Sequence, residues 1–372
     1  MLSNFKKIML LILCITFIRI ANAEISLSGY TEFAAGSADQ SISQGSENHG
    51  NDLAGMHNGT YSRITADYTT TLDSGIEVSG TYVFGARDCK GSNTGNCNVV
   101  DYNFATFSGG FGSISIGERF AAGATMLSRL TAGVPTAEPD GGLYTGFFEN
   151  NGLDSHGSGN EVDYADASMK IYYASNIYNG FSFAVSYTPN RAEDGDNTTD
   201  GQLGSGSSWA AFNDIVSAFA KYSLEMDGFV LDLVYGQQSG NAGIIGSTSY
   251  NDLEETAYSA AISYGAFSAD YRKNEAGDSG QEKNSNAGND EGTSYCLKYT
   301  LGNGSLGGCN VSTNFTDTSN LSNDGKTRTY SADYSLGGGA TVGLLYFDVE
   351  QTANGTTMTD ADGIMSMISL TF

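Results

Sequence analysis

Three arginines, Arg63, Arg87 and Arg119, each stand on the small or polar side of an alternating segment. In Tyr61-Ser-Arg-Ile-Thr-Ala-Asp-Tyr68, Ile64, Ala66 and Tyr68 share one parity, so Arg63, Thr65 and Asp67 share the other. Arg87 falls with Glu77, Ser79 and Thr81, and Arg119 with Ser113 and Ser115. Guanidinium groups placed like this can line a polar wall and meet carboxylates across it. Other candidates carry less. Gly277-Asp-Ser-Gly280 echoes a serine-hydrolase fragment, but a nucleophilic serine needs a positioned base. The only histidines, His49, His57 and His156, fall in separate loops, and no expected strand carries one, which argues against an enzyme. Asp52, the pair Asp194 and Asp196, and the pair Asp360 and Asp362 could hold Ca²⁺ through carboxylate oxygens, although solvated loop charge explains them better. No other cofactor is implied.

Four of the five cysteines lie beyond the first 23 residues, an even number that suits an oxidising compartment. Cys89 and Cys97 bracket one polar loop and are expected to close it. Cys296 and Cys309 are equidistant from the turn at 301–304, which sets them opposite each other on neighbouring strands, where a bridge is geometrically demanding.

The elements that must hold these groups begin with an export signal. Lys6 and Lys7 precede an apolar run from 8 to 18, and Ala21-Asn-Ala23 offers a cleavage site, so residues 1–23 read as a signal peptide and 24–372 as one domain. The run is too short for a membrane helix, which needs about 18 residues or more. Beyond the signal, fourteen basic side chains face 42 acidic ones, a net charge of −28. That balance excludes nucleic acid as a partner, since phosphate neutralisation needs Lys and Arg. The 49 glycines, 22 tyrosines and 19 phenylalanines, against three prolines, suit many strands joined by tight turns.

Alternation marks sixteen segments: 24–35, 60–71, 76–87, 99–108, 113–120, 168–175, 181–188, 215–224, 229–237, 255–264, 267–273, 294–300, 306–315, 328–336, 340–350 and 363–372. In Phe181-Ser-Phe-Ala-Val-Ser-Tyr187 the odd positions are large and the even ones small; in Phe229-Val-Leu-Asp-Leu-Val-Tyr235, Asp232 opposes Leu231 and Leu233. Short turns such as Tyr178-Asn-Gly180 and Met226-Asp-Gly228 alternate with polar insertions at 36–59, 88–98, 189–214, 238–254, 274–293, 316–327 and 351–362. Turns short on one rim and loops long on the other describe an all-β transmembrane antiparallel barrel, with apolar side chains toward lipid and polar ones toward a lumen. The first and last strands must pair to remove the sheet edges. One insertion, 121–167, stands apart. It opens on a helix-compatible stretch, Ala121–Leu130, and carries Val134, Leu143, Tyr144, Phe147, Phe148 and Leu153, which need something to pack against.

Glu24-Ile-Ser-Leu-Ser-Gly-Tyr30, Asp73-Ser-Gly-Ile-Glu77, Phe107-Ser-Gly-Gly-Phe-Gly-Ser-Ile-Ser-Ile-Gly117, Asn179-Gly-Phe-Ser-Phe-Ala-Val185, Tyr334-Ser-Leu-Gly-Gly-Gly-Ala340 and terminal Phe372, taken in order, resemble the general diffusion porins of alphaproteobacteria, the Rhodobacter type. The resemblance implies a sixteen-stranded, homotrimeric barrel of the bacterial outer membrane, in contact with its lipid and lipopolysaccharide. It implies a third long loop folded inward to narrow a pore for small hydrophilic solutes and ions. It also implies that barrel-assembly machinery reads Phe372. On that pattern Arg63, Arg119 and, nearer the outer rim, Arg87 form a basic wall facing Glu138, Asp140, Glu149 and Asp154 of the loop. Such a transverse field orders water and disfavours apolar solutes. With acids in excess, weak cation preference is expected. The rival reading is a non-conducting adhesin or structural barrel. The 121–167 loop discriminates: inside the lumen it filters by size, outside it makes a recognition surface.

Overall fold

The computed structural model describes residues 24–41, 57–86, 100–127, 144, 147, 164–165, 167–191, 212–242, 244–245, 247–316 and 322–372. Sixteen strands close an antiparallel barrel. The first half comprises β1 (Glu24–Ser41), β2 (His57–Thr71), β3 (Glu77–Ala86), β4 (Val100–Gly109), β5 (Gly112–Glu118), β6 (Met169–Ala174), β7 (Phe181–Asn190) and β8 (Phe212–Met226). The second comprises β9 (Phe229–Ala242), β10 (Leu253–Tyr264), β11 (Phe267–Gly277), β12 (Gly288–Leu301), β13 (Gly304–Thr316), β14 (Ser322–Gly337), β15 (Ala340–Ala353) and β16 (Thr356–Thr371). Each strand pairs with its sequence neighbours, and β1 pairs with β16 from Tyr30 opposite Thr371 to Ser41 opposite Asp360. Phe372 extends the seam: its N–H donates to the Gly29 carbonyl at 3.0 Å, and its carbonyl accepts from the Gly29 N–H at 3.1 Å. Gly29 is needed there, because a Cβ would meet the Arg63 carbonyl at 2.5 Å and the Phe372 ring at 2.8 Å.

All sixteen expected strands are present, but many run further toward the long-loop rim than alternation suggested. His57, expected in a loop, opens β2. The insertion expected at 351–362 is mostly strand: β15 and β16 meet at Asn354-Gly355, both at positive φ (50° and 71°), which matches the twist of a two-residue hairpin. Outward positions there turn acidic, with Asp348, Glu350, Asp360 and Asp362, so the apolar signal stops while the backbone ladder continues. A short ladder, Ile244–Ile245 with Thr248–Ser249, lies between β9 and β10, and one short helix, α1 (Ala122–Met126), follows β5.

The outer surface carries two aromatic rows. Toward the long-loop rim, Tyr235 stands opposite Tyr258, Tyr271 opposite Tyr295 and Tyr330 opposite Tyr346. Toward the short-turn rim, Tyr264 faces Phe267 and Phe229, and Tyr299 faces Phe267. Between them Leu233, Ile262, Leu297, Leu344 and Ile368 are exposed. Amphipathic rings at two levels with aliphatic side chains between them mark the two interfaces of a bilayer and its hydrocarbon. Replacing Leu344 by Arg, midway between the rows, is expected to destabilise the barrel by about 2–4 kcal/mol in denaturant unfolding from vesicles; a cost near zero would displace the belt.

Candidate functional site

The inner face is polar along β2 to β6 and apolar along β15, β16 and β1. The 121–167 segment uses both properties. At its start, the inward hydroxyls of Ser186 on β7 and Ser217 on β8 accept the N–H groups of Ala122 and Gly123 at 3.1 and 3.0 Å, satisfying helix-end donors that α1 leaves free. Ala122 and Leu127 are buried against Tyr172, Ala184, Phe219, Val234 and Ala257. Phe219 can lie flat there because residue 236 is glycine and sits directly beneath its ring. Further along, Tyr144 and Phe147 are buried on the other side, against Ala34, Leu345, Phe347 and Met365, with the Tyr144 and Phe347 rings 5.3 Å apart. The segment then returns: Tyr164 and Ala165 pack on Phe212, Ile215 and Leu253, and the Tyr164 hydroxyl donates to Asp290 at 3.1 Å. Burial, with Asp290 and Glu255 nearby, pushes the Tyr164 hydroxyl pKa well up, so it remains a donor. The described residues of this segment thus contact inner walls on both sides of the barrel.

Arg63 and Arg119 stand on the β1–β6 wall. Tyr30 and Gly85 flank Arg63 in the ladder, and it forms an ion pair with Asp101. Its guanidinium carbon lies 5.5 Å from the Tyr102 ring and 5.8 Å from the Tyr61 ring. Arg119 donates to Ser115 Oγ at 2.6 Å and lies 3.6 Å from the Tyr172 ring centroid and 4.8 Å from that of Phe104. Lys170 Nζ donates to the carbonyls of Arg119 and Ser168, tying the start of the loop to its end. Cation–π contact restrains both guanidinium groups without neutralising them, while the Asp101 carboxylate compensates the charge of Arg63.

Alternation missed this aromatic setting. It assigned aromatics to lipid, yet Tyr102 and Phe104 stand opposite inward Val83 and Thr81, and Tyr172 opposite inward Ser115. A register irregularity between Val83 and Phe84 accompanies the approach of Asp101 to Arg63, and an irregularity of that kind leaves no mark in a binary pattern. Further inward charges include Asp67, which accepts from Thr81 at 2.6 Å, and the pair of Lys221 with Asp232 at 2.9 Å. Glu32, Glu255 and Asp270 are buried, as is Arg272.

Arg87, Glu138, Asp140, Glu149, Asp154, Cys89 and Cys97 lie outside the described residues. Cys296 and Cys309 face each other across β12 and β13 and form a disulfide. Ser279 of the Gly-Asp-Ser-Gly stretch is a turn residue, donating to the Ala276 carbonyl at 2.5 Å and accepting from Glu254 N–H at 2.9 Å. Asp362 stands opposite Asp39 and Asp348, but among the described residues no three acidic, His or Cys side chains gather as metal ligands.

A closed antiparallel barrel with an apolar outer belt and a charged inner face is a transmembrane channel architecture. The chain belongs to the Gram-negative porin family, whose model matches residues 13–357. Solved structures agree in fold. The outer-membrane channel DcaP of Acinetobacter baumannii superposes with a TM-score of 0.60 at 12% identity, covering 96% of this chain and 99% of that one. A loop-deleted OmpT, an outer-membrane protein of Vibrio cholerae, gives 0.57 at 13%, covering 93% and 99%. A mutant of the Rhodobacter blastica porin gives 0.55 at 18%, covering 94% and 100%. No curated protein matches the chain. As a porin, this is an outer-membrane β-barrel.

Proposed function

We propose that this porin passes small hydrophilic solutes and ions by passive diffusion, with a weak cation preference and no chemistry performed on what it carries. The observation that carries the reading is the burial of Tyr144 and Phe147 on the inner wall, which favours a filter inside the lumen over an adhesive surface outside it. In this reading the 121–167 loop sets the narrowest point, with Glu138, Asp140, Glu149 and Asp154 facing Arg63 and Arg119, and Arg87 nearer the mouth. Residues 1–23 are removed on export.

Three copies associate through the outer face of β1 to β5. Small outward residues gather there, including Gly29, Ala35, Ala66, Gly80 and Ala105, and the upper tyrosine row is absent from β1, β2, β4 and β5. Polar pairs sit on the same face: Ser62 donates to Thr31 at 3.2 Å and Asn103 to Glu118 at 2.8 Å. Such groups pack better against protein than against hydrocarbon. The remaining circumference meets lipid and lipopolysaccharide, and barrel-assembly machinery recognises Phe372. Removing Phe372 is therefore expected to lower the amount of assembled, heat-modifiable barrel in the outer membrane, with degradation of the unassembled chain; normal assembly would take recognition away from that residue. Planar-bilayer recording of the purified protein tests the function itself. Steps that close in threes, with a reversal potential displaced toward the cation value, are expected. A protein that inserts and conducts nothing would leave the adhesin reading.

A further inference from the structure

We propose that the Cys296–Cys309 disulfide locks the register of the β12–β13 hairpin, and that a protein disulfide oxidant of the periplasm makes it before the barrel closes. The inference stands on the barrel alone and needs no statement about what passes through it. The strand that the bond holds carries apolar side chains on both faces. On β13, Leu306, Asn310 and Ser312 share the face of the outward Tyr295 and Tyr299, whereas Val311 and Phe315 share the lumen face of Cys309. Asn310 stands opposite Tyr295, is 8% exposed, and its Oδ1 accepts no hydrogen bond among the described residues. A slip of one residue would turn Val311 and Phe315 outward and Asn310 and Ser312 toward the lumen. The contrast that sets the register of other strands therefore does not set this one. The turn accommodates the slip as well: Gly302 and Asn303 join the strands as they stand, and Gly304 would extend them to a three-residue loop, also a common hairpin length.

The bond admits one register only. Cys296 and Cys309 are directly opposed, with Cα atoms 4.1 Å apart. After a slip of one residue Asn310 would oppose Cys296, and Cys309 would face lipid while Cys296 faced the lumen. After a slip of two, the cysteines would become diagonal neighbours about 7–8 Å apart, too far to bridge. Both are 4% exposed in the closed wall, and exchange requires one sulfur to reach another, so a protein can oxidise them only before closure. They lie 13 residues apart in sequence, so they meet in the hairpin without the rest of the ring. One cysteine thiolate attacks the oxidant's disulfide and releases an oxidant thiolate. The second cysteine thiolate then attacks the mixed disulfide at the first cysteine's sulfur, closing Cys296–Cys309 and releasing the other oxidant thiolate. The oxidant gains two electrons and the two protons that the cysteines lose.

Moving the staple tests this in the full-length exported chain, with assembled, heat-modifiable barrel as the readout. The Cys296→Ser, Cys309→Ser variant should lose assembled barrel relative to the wild type. Ser294 and Val311 are the next opposed pair on the lumen face, so adding Ser294→Cys and Val311→Cys to that variant should restore the yield. Adding Ser294→Cys and Ser312→Cys instead, a pair opposed only after a slip of one residue, should not. Wild-type chain made with dithiothreitol present throughout should behave like the double serine variant, whereas dithiothreitol added after assembly should leave the yield unchanged. Undiminished assembly of the double serine variant, or of wild type made in reductant, would overturn the proposal. So would failure of the 294–311 pair to rescue. Equal rescue by the 294–312 pair would mean that a cross-link stabilises the hairpin in any register, and would overturn it too.

Discussion

Replacing Tyr144 and Phe147 together by alanine is expected to raise single-channel conductance and to admit larger sugars in liposome swelling, while leaving the barrel intact. Both rings are fully buried against the inner faces of β1, β15 and β16. Truncating a buried aromatic costs about 3–5 kcal/mol. Segments that are not part of a ladder open locally for anything from about zero to the global stability, so losing two such anchors is expected to free the loop around them. The strands keep every ladder hydrogen bond, so migration on gels before and after heating should not change. Replacing Ser186 and Ser217 by alanine removes only two acceptors at the helix end, about 1 kcal/mol each, and should loosen the loop less. Deleting 121–167 should exceed both. If neither the double alanine variant nor the deletion changed permeability, the loop would not set the constriction.

The second large effect concerns selectivity, where two opposite changes should move the zero-current potential in opposite directions. Changing Glu138 and Asp140 to their amides removes carboxylates from the loop, and the potential in a salt gradient should shift toward anions. Changing Arg63 to Gln removes a fixed cation whose partner Asp101 then stands uncompensated on the wall, and the shift should be toward cations. Screening decides the range of both. At physiological salt the Debye length is about 8 Å, so the distant negative charge of the chain is damped while groups at a narrow constriction still act on the passing ion. Both shifts should shrink as salt rises. A potential indifferent to the loop amides would remove those carboxylates from the narrow part, and an anion-selective wild type would mean that Arg63 and Arg119 dominate.

Strand identity, pairing order and the inward parity of Arg63, Arg119 and Asp232 were legible in the residues, because alternation is a local property and a closed antiparallel barrel pairs sequence neighbours. The opposition of Cys296 and Cys309 was legible for the same reason, since a tight turn sets the register around it, whereas the bond between them was only one possibility. Strand ends were not, as the signal for a strand was apolar contrast, and the ladder outlasts that contrast where β15 and β16 rise beyond the belt. The stacking of Arg63 and Arg119 on Tyr102, Phe104 and Tyr172 was not legible either. An aromatic side chain satisfies the same binary pattern whether it meets lipid or a guanidinium, and only the register between strands distinguishes the two. The position of the loop belonged wholly to tertiary structure. Its apolar residues required a surface; for the described ones, Phe347 and Met365 receive Tyr144 and Phe147 while Phe212 and Phe219 receive Tyr164 and Leu127, and that surface is assembled only when strands far apart in the chain close into a ring.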